Sequence, residues 1–348
     1  METRLLGRSG CAVSAYALGT MTFGKETDEE GAHAQLDAFV AAGGTLVDTA
    51  DVYNDGVSEE VVGRWFASRP ADVTDRVVLA TKGRFPTGTG ANDVGLSRRH
   101  LSRALDASLR RLGASVDAVD LYQVHAWDGL TPLEETLRFL DDAVRAGKVH
   151  YVGLSNFTGW QVQKVVALAR ELGLSVPVTL QPQYNLLARE VELEVVPSCL
   201  DAGLGLLPWS PLGGGWLTGK YRRDQAPTGA TRLGEDPARG MEAYGPRSAQ
   251  ERTWDVVGAV EAVASARGAS MAQVALAWLS QQPSVTSVIL GARTTEQLTD
   301  NLGAADLVLE PAELDRLGAA SQPQVGDYPY GAPAVVQRTR PITGGRAS

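Results

Sequence analysis

Short apolar runs alternate along the chain with longer stretches in which apolar residues recur every three or four positions. The short runs have strand length and a bounded, mostly apolar character: residues 16–19 (YALG), 45–49 (TLVDT), 77–82 (VVLATK), 119–125 (VDLYQVH), 149–156 (VHYVGLSN), 178–183 (VTLQPQ), 204–210 (LGLLPWS) and 287–290 (SVIL). The helix-period stretches cover 29–42, 58–68, 98–112, 133–146, 160–172, 189–202, 248–267, 270–281 and 295–302. Gly43, Gly113, Gly147, Gly173 and Gly203 sit just past five of these stretches, where a helix commonly ends. Ahead of the first run, Arg4–Leu5 and Val13–Ser14 flank GRSG and predict an antiparallel hairpin.

Eight strands, each followed by a helical stretch and apolar enough to be buried on both faces, predict an α/β protein of the (β/α)8 TIM-barrel type, a single domain with long loops at the C-terminal face. A doubly wound sheet would normally carry G-x-G-x-x-G after its first strand, whereas this chain reads LGTMTFG there. Two segments fall outside the repeat. Residues 221–247 are rich in Gly, Pro and Arg without periodicity; with 210–220 they are expected to form a cofactor loop or lid over a barrel spanning 1–321. The tail, 322–348, is expected either to fold over the barrel mouth or to be mobile.

The formal net charge of −9 and the lack of a long basic block argue against binding nucleic acid through a basic face, or docking on an anionic membrane. No run of about 18 apolar residues predicts a transmembrane helix, and METRLLGRSG lacks the pattern of a signal peptide. Cys11 and Cys199 stand far apart, without metal-ligand spacing, and fit a reducing compartment. The expectation is a cytoplasmic protein with no metal; whether it is a monomer or a homo-oligomer is left open.

A barrel of this kind carries its chemistry at the C-terminal ends of its strands. Asp48 ends the second run and Tyr53 follows it; Lys82 ends the third, His125 the fourth, Ser155 and Asn156 the fifth; Gln181 lies near the end of the sixth and Ser210 ends the seventh. Each alone is weak, since a lone His is more often a satisfied core residue and a lone Lys a solvated charge. Together they make sense. An ammonium beside a phenol lowers its pKa, a carboxylate keeps the ammonium charged, and an imidazole can hold a carbonyl oxygen. Such a set protonates an oxygen on which charge develops, as in hydride addition to C=O, and the hydride must come from a nicotinamide cofactor. Asp51, between Asp48 and Tyr53, is expected to shape the turn.

The segments DTADVYNDGVSEEVVGRW, LATKG, DLYQVH, GKVHYVGLSNF, PWSPLGGGWLTGKY and GARTTEQLTDNL occur in this order and resemble the successive signatures of the aldo-keto reductase family. The resemblance implies a (β/α)8 barrel that binds NADPH/NADP+ without a Rossmann motif. It also implies a tetrad of Asp48, Tyr53, Lys82 and His125, with Tyr53 as the general acid. For the cofactor it implies Ser155, Asn156 and Gln181 at the carboxamide and Trp209 stacked on the nicotinamide. Ser210, Pro211, Leu212, Gly213 and Lys220 are implied around the pyrophosphate, Arg293 at the 2′-phosphate, and Gln297 and Asn301 at the adenine. Thr20, Met21, Asp48 and Gly291 complete the implied cofactor set. Thr294 or Thr295 can cap the helix behind Arg293. Phe23, Phe85 and Trp127, with Tyr53 and His125, are candidates to line the substrate pocket.

The first reading is therefore an NADPH-dependent reductase of a small-molecule aldehyde or ketone. A non-enzymatic NADPH-binding regulatory subunit is the second, because the same branch resembles potassium channel β subunits. Those place an amide where this chain has His125, and an extended N-terminal segment of the kind that would plug a channel is not expected. A reductase dedicated to nucleotide-linked keto or enoyl sugars is a third, resting only on an Ala/Gly/Arg-rich composition.

Overall fold

The computed structural model describes residues 1–338 except Asp224, Ala226, Ala230 and Arg239. Strands β1 (Thr3–Leu5) and β2 (Ala12–Ser14) form the hairpin, with Arg4 opposite Val13 and Leu5 opposite Ala12, one residue from the expected register. The chain then runs β3 (Tyr16–Gly19), α1 (Glu29–Ala41), β4 (Leu46–Asp48), α2 (Val57–Ser68), the single turn α3 (Ala71–Thr74), β5 (Val78–Gly83), α4 (Arg98–Leu112) and β6 (Val119–Val124). Next come α5 (Leu133–Arg145), β7 (Val149–Ser155), α6 (Gly159–Glu171), β8 (Thr179–Gln181), α7 (Val191–Ala202) and β9 (Gly205–Leu206). Beyond them lie α8 (Arg232–Glu235), α9 (Tyr244–Ser248), α10 (Glu251–Arg267), α11 (Met271–Ser280), β10 (Val288–Leu290), α12 (Thr295–Leu302), α13 (Pro311–Ala320) and α14 (Ala332–Arg338).

From β3 to β9 each strand pairs in parallel with the next, and β10 pairs with β3. The ring closes between β9 and β10: Leu206 N–H donates to Ser284 O (2.8 Å), Thr286 N–H to Leu206 O (2.9 Å) and Ile289 N–H to Pro208 O (3.0 Å). The fold is thus a (β/α)8 barrel, as the alternation predicts. Some of its helices start where the sequence offers a side-chain acceptor. Asp28 caps α1 by accepting from Gly31 N, Ser97 caps α4 through His100 N, and Ser270 with Gln273 forms a capping box on α11.

Three expectations change. The helix expected over 248–267 begins at Glu251 as α10, and Ser248 instead ends the separate short α9. The seventh strand is only two residues long, because Pro208 has no N–H for the ladder; the chain stays extended, with Leu207 N–H donating to Leu180 O and Trp209 N–H to Pro182 O. Segment 221–247 holds local structure that periodicity could not show: Thr231 caps α8 through Gly234 N, and Leu233 is fully buried. In the tail, Tyr330 hydrogen-bonds Glu194 and Ala334 is buried; residues 339–348 of that segment lie outside the described residues.

Period-two alternation decides which way each strand side chain points. Ala17, Leu46, Ala80, Leu121, Leu207 and Ile289 fill the barrel interior together with Leu6 and Val13 from the hairpin, which closes the floor. Their neighbours Leu18, Val47, Leu79 and Tyr122 point outward into the larger core between sheet and helices. Among the described residues no helix is long and apolar enough to cross a membrane.

The floor depends on Gly7. Its φ is +56°, and a Cβ there would lie 2.0 Å from Val178 O and 2.9 Å from Gly205 N. Gly7→Ala is expected to cost roughly 2 kcal/mol or more, read as a lowered urea or thermal midpoint, whereas Gly10→Ala, with nothing near its Cβ, should be close to neutral. Equal midpoints for the two variants would mean that the hairpin does not seal the barrel.

Candidate active site

Inward parity at the upper ends of β4, β5 and β6 delivers Asp48, Lys82 and Gln123 to one point inside the barrel. Lys82 is fully buried. Its ammonium donates to Asp48 Oδ2 (2.6 Å), Thr49 O (2.9 Å) and Tyr53 Oη (3.0 Å). Asp48 Oδ1 accepts from Gln123 Nε2 (3.0 Å) and Gln181 Nε2 (2.9 Å). Tyr53 is carried in by a tight turn after β4, in which Asn54 and Asp55 both have positive φ and Asn54 Nδ2 ties the turn to Met21 O and Phe23 O. His125 follows β6, held by its N–H to Gly83 O (3.1 Å); its ring meets Tyr53 edge-on at 6.0 Å and Phe85 at 4.5 Å.

An ammonium has three donors, and all three of Lys82's are spent. Because one of them goes to the phenol oxygen, the Tyr53 O–H is left to donate away from the lysine, toward the mouth. Burial pushes the Lys82 ammonium down, but the Asp48 carboxylate and the Tyr53 phenol more than offset it, and its pKa lies above the ordinary value. Burial also raises the Tyr53 phenol above 10; Lys82 pulls it down, as the sequence suggests, yet burial and the Asp48 charge outweigh that pull. His125 is pushed down to about 2 by burial and by the cations Lys82 and Arg84, so its imidazole is neutral. Its Nδ1 is buried without a partner, which leaves Nε2 as the nitrogen open to the mouth.

Asp51 does not set the turn with its side chain; Asn54 does. Both Asp51 oxygens are buried and neither has a hydrogen-bond partner. The carboxyl lies behind the barrel wall near Glu59, itself fully buried, which accepts from Arg111 Nε (2.7 Å) and Thr81 Oγ1 (2.5 Å). Burial, with repulsion from Glu59, raises Asp51 to about 7. Sequence reasoning passed over Gln123 and Glu59. Gln123 could have been found as the polar residue sharing His125's parity in an otherwise apolar strand; Glu59 looked like one more acid in the first turn of a helix.

The other predicted positions form a row along the mouth. Ser155 Oγ donates to Gln181 O, Asn156 Nδ2 to His125 O (2.9 Å), and Trp209 Nε1 to Asn156 Oδ1 (3.0 Å). Thr20 is buried against Ser58 (2.8 Å), and Met21 is exposed. Ser210 has positive φ and bonds Glu242; Pro211 and Leu212 lead into Gly213, Gly214 and Gly215, all with positive φ. Packing and the neighbouring Arg293 and Arg232 hold the Lys220 ammonium below its ordinary range. Arg293 is gripped by Glu235 through two bonds (3.0 and 2.8 Å) and touches Glu26 (3.3 Å). Thr294 is the cap of α12; Gln297 accepts from Arg293 N (3.0 Å), and Asn301 reaches Gly291 O (3.4 Å). The structure does not bring Phe23 to the mouth: it is fully buried beneath the Asn54 turn. Phe85 stands beside the His125 ring and Trp127 against Phe157 and Trp160, both half-buried.

The profile of the Aldo/keto reductase family matches residues 16–322. The chain belongs to the aldo/keto reductase family. A Bacillus subtilis (strain 168) relative, the uncharacterized oxidoreductase YrpG, is 39% identical over 89% of this chain and 93% of its own. A probable voltage-gated potassium channel subunit beta of Oryza sativa subsp. japonica is 38% identical over 92% of this chain and 97% of its own. The versiconal hemiacetal acetate reductase of Aspergillus parasiticus is 34% identical over 91% and 96%.

This aldo/keto reductase therefore holds an ordered ion pair inside the barrel and an unpaired carboxyl just behind it. A folded protein that keeps Asp51 protonated up to about pH 7 binds a proton that the unfolded chain releases near pH 4, so this group's contribution to stability falls between those values as pH rises. Asp51→Asn removes the penalty. The variant's unfolding free energy, from urea titrations, should exceed the wild type's by more at pH 8 than at pH 5, the difference being on the order of a few kcal/mol. A gap that shrinks with rising pH would reject the protonated carboxyl.

Proposed function

We propose that this aldo/keto reductase reduces an aldehyde or ketone to an alcohol with hydride from NADPH, Tyr53 giving the proton. The observation that carries the reading is the saturated Lys82 ammonium, which leaves the Tyr53 hydroxyl as a donor aimed at the mouth. The residues fit such a cofactor. Trp209 stands at the mouth beside Asn156, the three left-handed glycines after Ser210 leave backbone free to approach a diphosphate, and Lys220 and Arg293 supply positive charge further on. Arg293 already holds a carboxylate through two bonds, the same fork that a 2′-phosphate would accept.

Bound NADPH would supply the hydride. The chain's own work is then positioning and proton transfer. His125, neutral and with Nε2 open, holds the carbonyl oxygen as a hydrogen-bond donor. Tyr53 shares that oxygen and gives up its proton as negative charge grows there. Lys82, three ångströms from the phenol oxygen, stabilises the phenolate left behind, and Asp48 keeps Lys82 charged while Gln123 and Gln181 keep Asp48 in place.

Purified protein with NADPH should oxidise the cofactor in the presence of at least one aromatic aldehyde, methylglyoxal or keto sugar. Tyr53→Phe should lower kcat at least a hundredfold, roughly the scale of acid–base catalysis; an unchanged rate would remove Tyr53 from the mechanism. Cofactor binding without turnover of any carbonyl would instead favour the second reading, a non-enzymatic regulatory subunit; the rice relative is named a probable voltage-gated potassium channel subunit beta.

Arg293→Ala should weaken NADPH binding far more than NADH binding, measured by quenching of intrinsic fluorescence. Equal weakening would reject the assignment of Arg293 to the 2′-phosphate.

A further inference from the structure

Arg84 is a cation that the reaction so far does not use. It follows β5 directly, two residues after Lys82, and its backbone sits at φ +149°, a region that residues with side chains seldom adopt. The guanidinium lies 5.1 Å from the Phe85 ring, which in turn packs 4.5 Å from the His125 ring. Its one hydrogen bond among the described residues is Nη2–H to Trp127 O, long at 3.3 Å. Nε is buried with no acceptor. Guanidinium nitrogens are donors only, five N–H in a planar fork, so most of this fork has no protein acceptor. Asp128, in the loop opposite, has its charge stabilised by Arg84 from a distance. Its oxygens are already taken by Leu96 N, Leu130 N and Thr131 Oγ1.

A strained backbone, a buried donor without a partner and a cation beside a neutral histidine are all unfavourable for the fold alone. They coincide at the rim of the pocket where the carbonyl must sit. The surrounding walls are aromatic: Phe85 lies under the guanidinium, and Trp127 stands edge-on to Phe157 (5.4 Å) and to the exposed Trp160 (5.5 Å).

From this juxtaposition we propose that Arg84 forms an anion subsite of the substrate pocket and that the substrate is an aromatic aldehyde or ketone bearing a carboxylate. This rests on the carbonyl-reductase reading above and adds the substrate's charge to it. The flat ring fits between Phe85 and Trp127, and the carboxylate takes the open fork of Arg84 in a charge-assisted, two-bond contact. Arg84 acts on specificity, and the reacting carbonyl stays with Tyr53 and His125.

The test compares 4-carboxybenzaldehyde with its neutral methyl ester, methyl 4-formylbenzoate, in wild type, Arg84→Gln and Arg84→Lys, with NADPH. Wild type is expected to favour the carboxylate at least tenfold in kcat/KM, mostly through KM, on the scale of one charge-assisted contact. That ratio should collapse toward one in Arg84→Gln and be partly kept in Arg84→Lys. A merely structural Arg84 would lower both substrates together and leave the ratio unchanged, and that outcome overturns the proposal. Calorimetric binding of 4-(hydroxymethyl)benzoate to the NADP+-loaded protein gives an answer that does not need turnover. Binding at least tenfold tighter to wild type than to Arg84→Gln supports the subsite even if no aldehyde is reduced, in which case the reductase reading fails and the subsite stands. Turnover of the neutral ester with equal binding of the anion by both proteins sinks the subsite and leaves the reductase reading intact.

Discussion

The ion pair between Lys82 and Asp48 constrains everything around it. Two opposite charges sit almost fully buried inside a barrel, where each ion costs several kcal/mol to desolvate. The cost is tolerable only because every hydrogen-bonding need is met: three acceptors for the ammonium, and two amide donors besides the ammonium for the carboxylate. The amides come from β6 and β8 and the charges from β4 and β5, so four strands must hold register for the pair to survive. A slip of one residue in any of them would turn its polar group outward into the apolar layer. The barrel is in this sense built to keep one ammonium in one orientation.

The pair also sorts the protonation states of its neighbours. Lys82 stays charged because Asp48 is closer to it than any competing cation. His125 stays neutral because it is buried and, in addition, faces two cations, Lys82 and Arg84. Those opposite outcomes give one fixed positive charge and one neutral donor on either side of Tyr53. An imidazolium at the same place would compete with Lys82 for the phenolate, so the depressed His125 pKa belongs to the same electrostatic design as the raised Lys82 one.

How much of this was legible in sequence follows from how local each signal is. Strand and helix alternation and the polar residue at each strand's upper end are local, and they put Asp48, Lys82 and His125 at strand ends that parallel register brings together. Gln123 was legible by parity and was passed over inside an apolar run. Phe23 was misplaced because nearness to a strand end does not tell which way a side chain turns; the Asn54 turn folds over it. The unpaired Asp51 carboxyl and the Glu235 contact on Arg293 were not legible at all. Each depends on a residue from another element, α2 for one and α8 for the other, and no spacing rule connects them.

Backbone strain follows the same geography. The described non-glycine residues with positive φ are Asn54, Asp55, Arg84, Asn156, Ser210 and Ser284. All but Ser284 stand in loops that leave upper strand ends, and Arg84, Asn156 and Ser210 stand immediately beyond Gly83, Ser155 and Trp209. A strand that continued straight would alternate its side chains between the barrel axis and the helices. A left-handed residue at the exit breaks that alternation and lets consecutive side chains face the mouth. Asn156 shows the gain: its kink lets the amide bridge His125 O and Trp209 Nε1 at once. Ser210 shows it again, with its carbonyl held by Asn185 Nδ2 (2.8 Å) while the glycine run begins. At those two positions hydrogen bonds offset the strain within the protein. At Arg84 the carbonyl is likewise held, by Gly95 N–H (2.9 Å), but the side chain the kink turns out keeps its buried Nε without an acceptor.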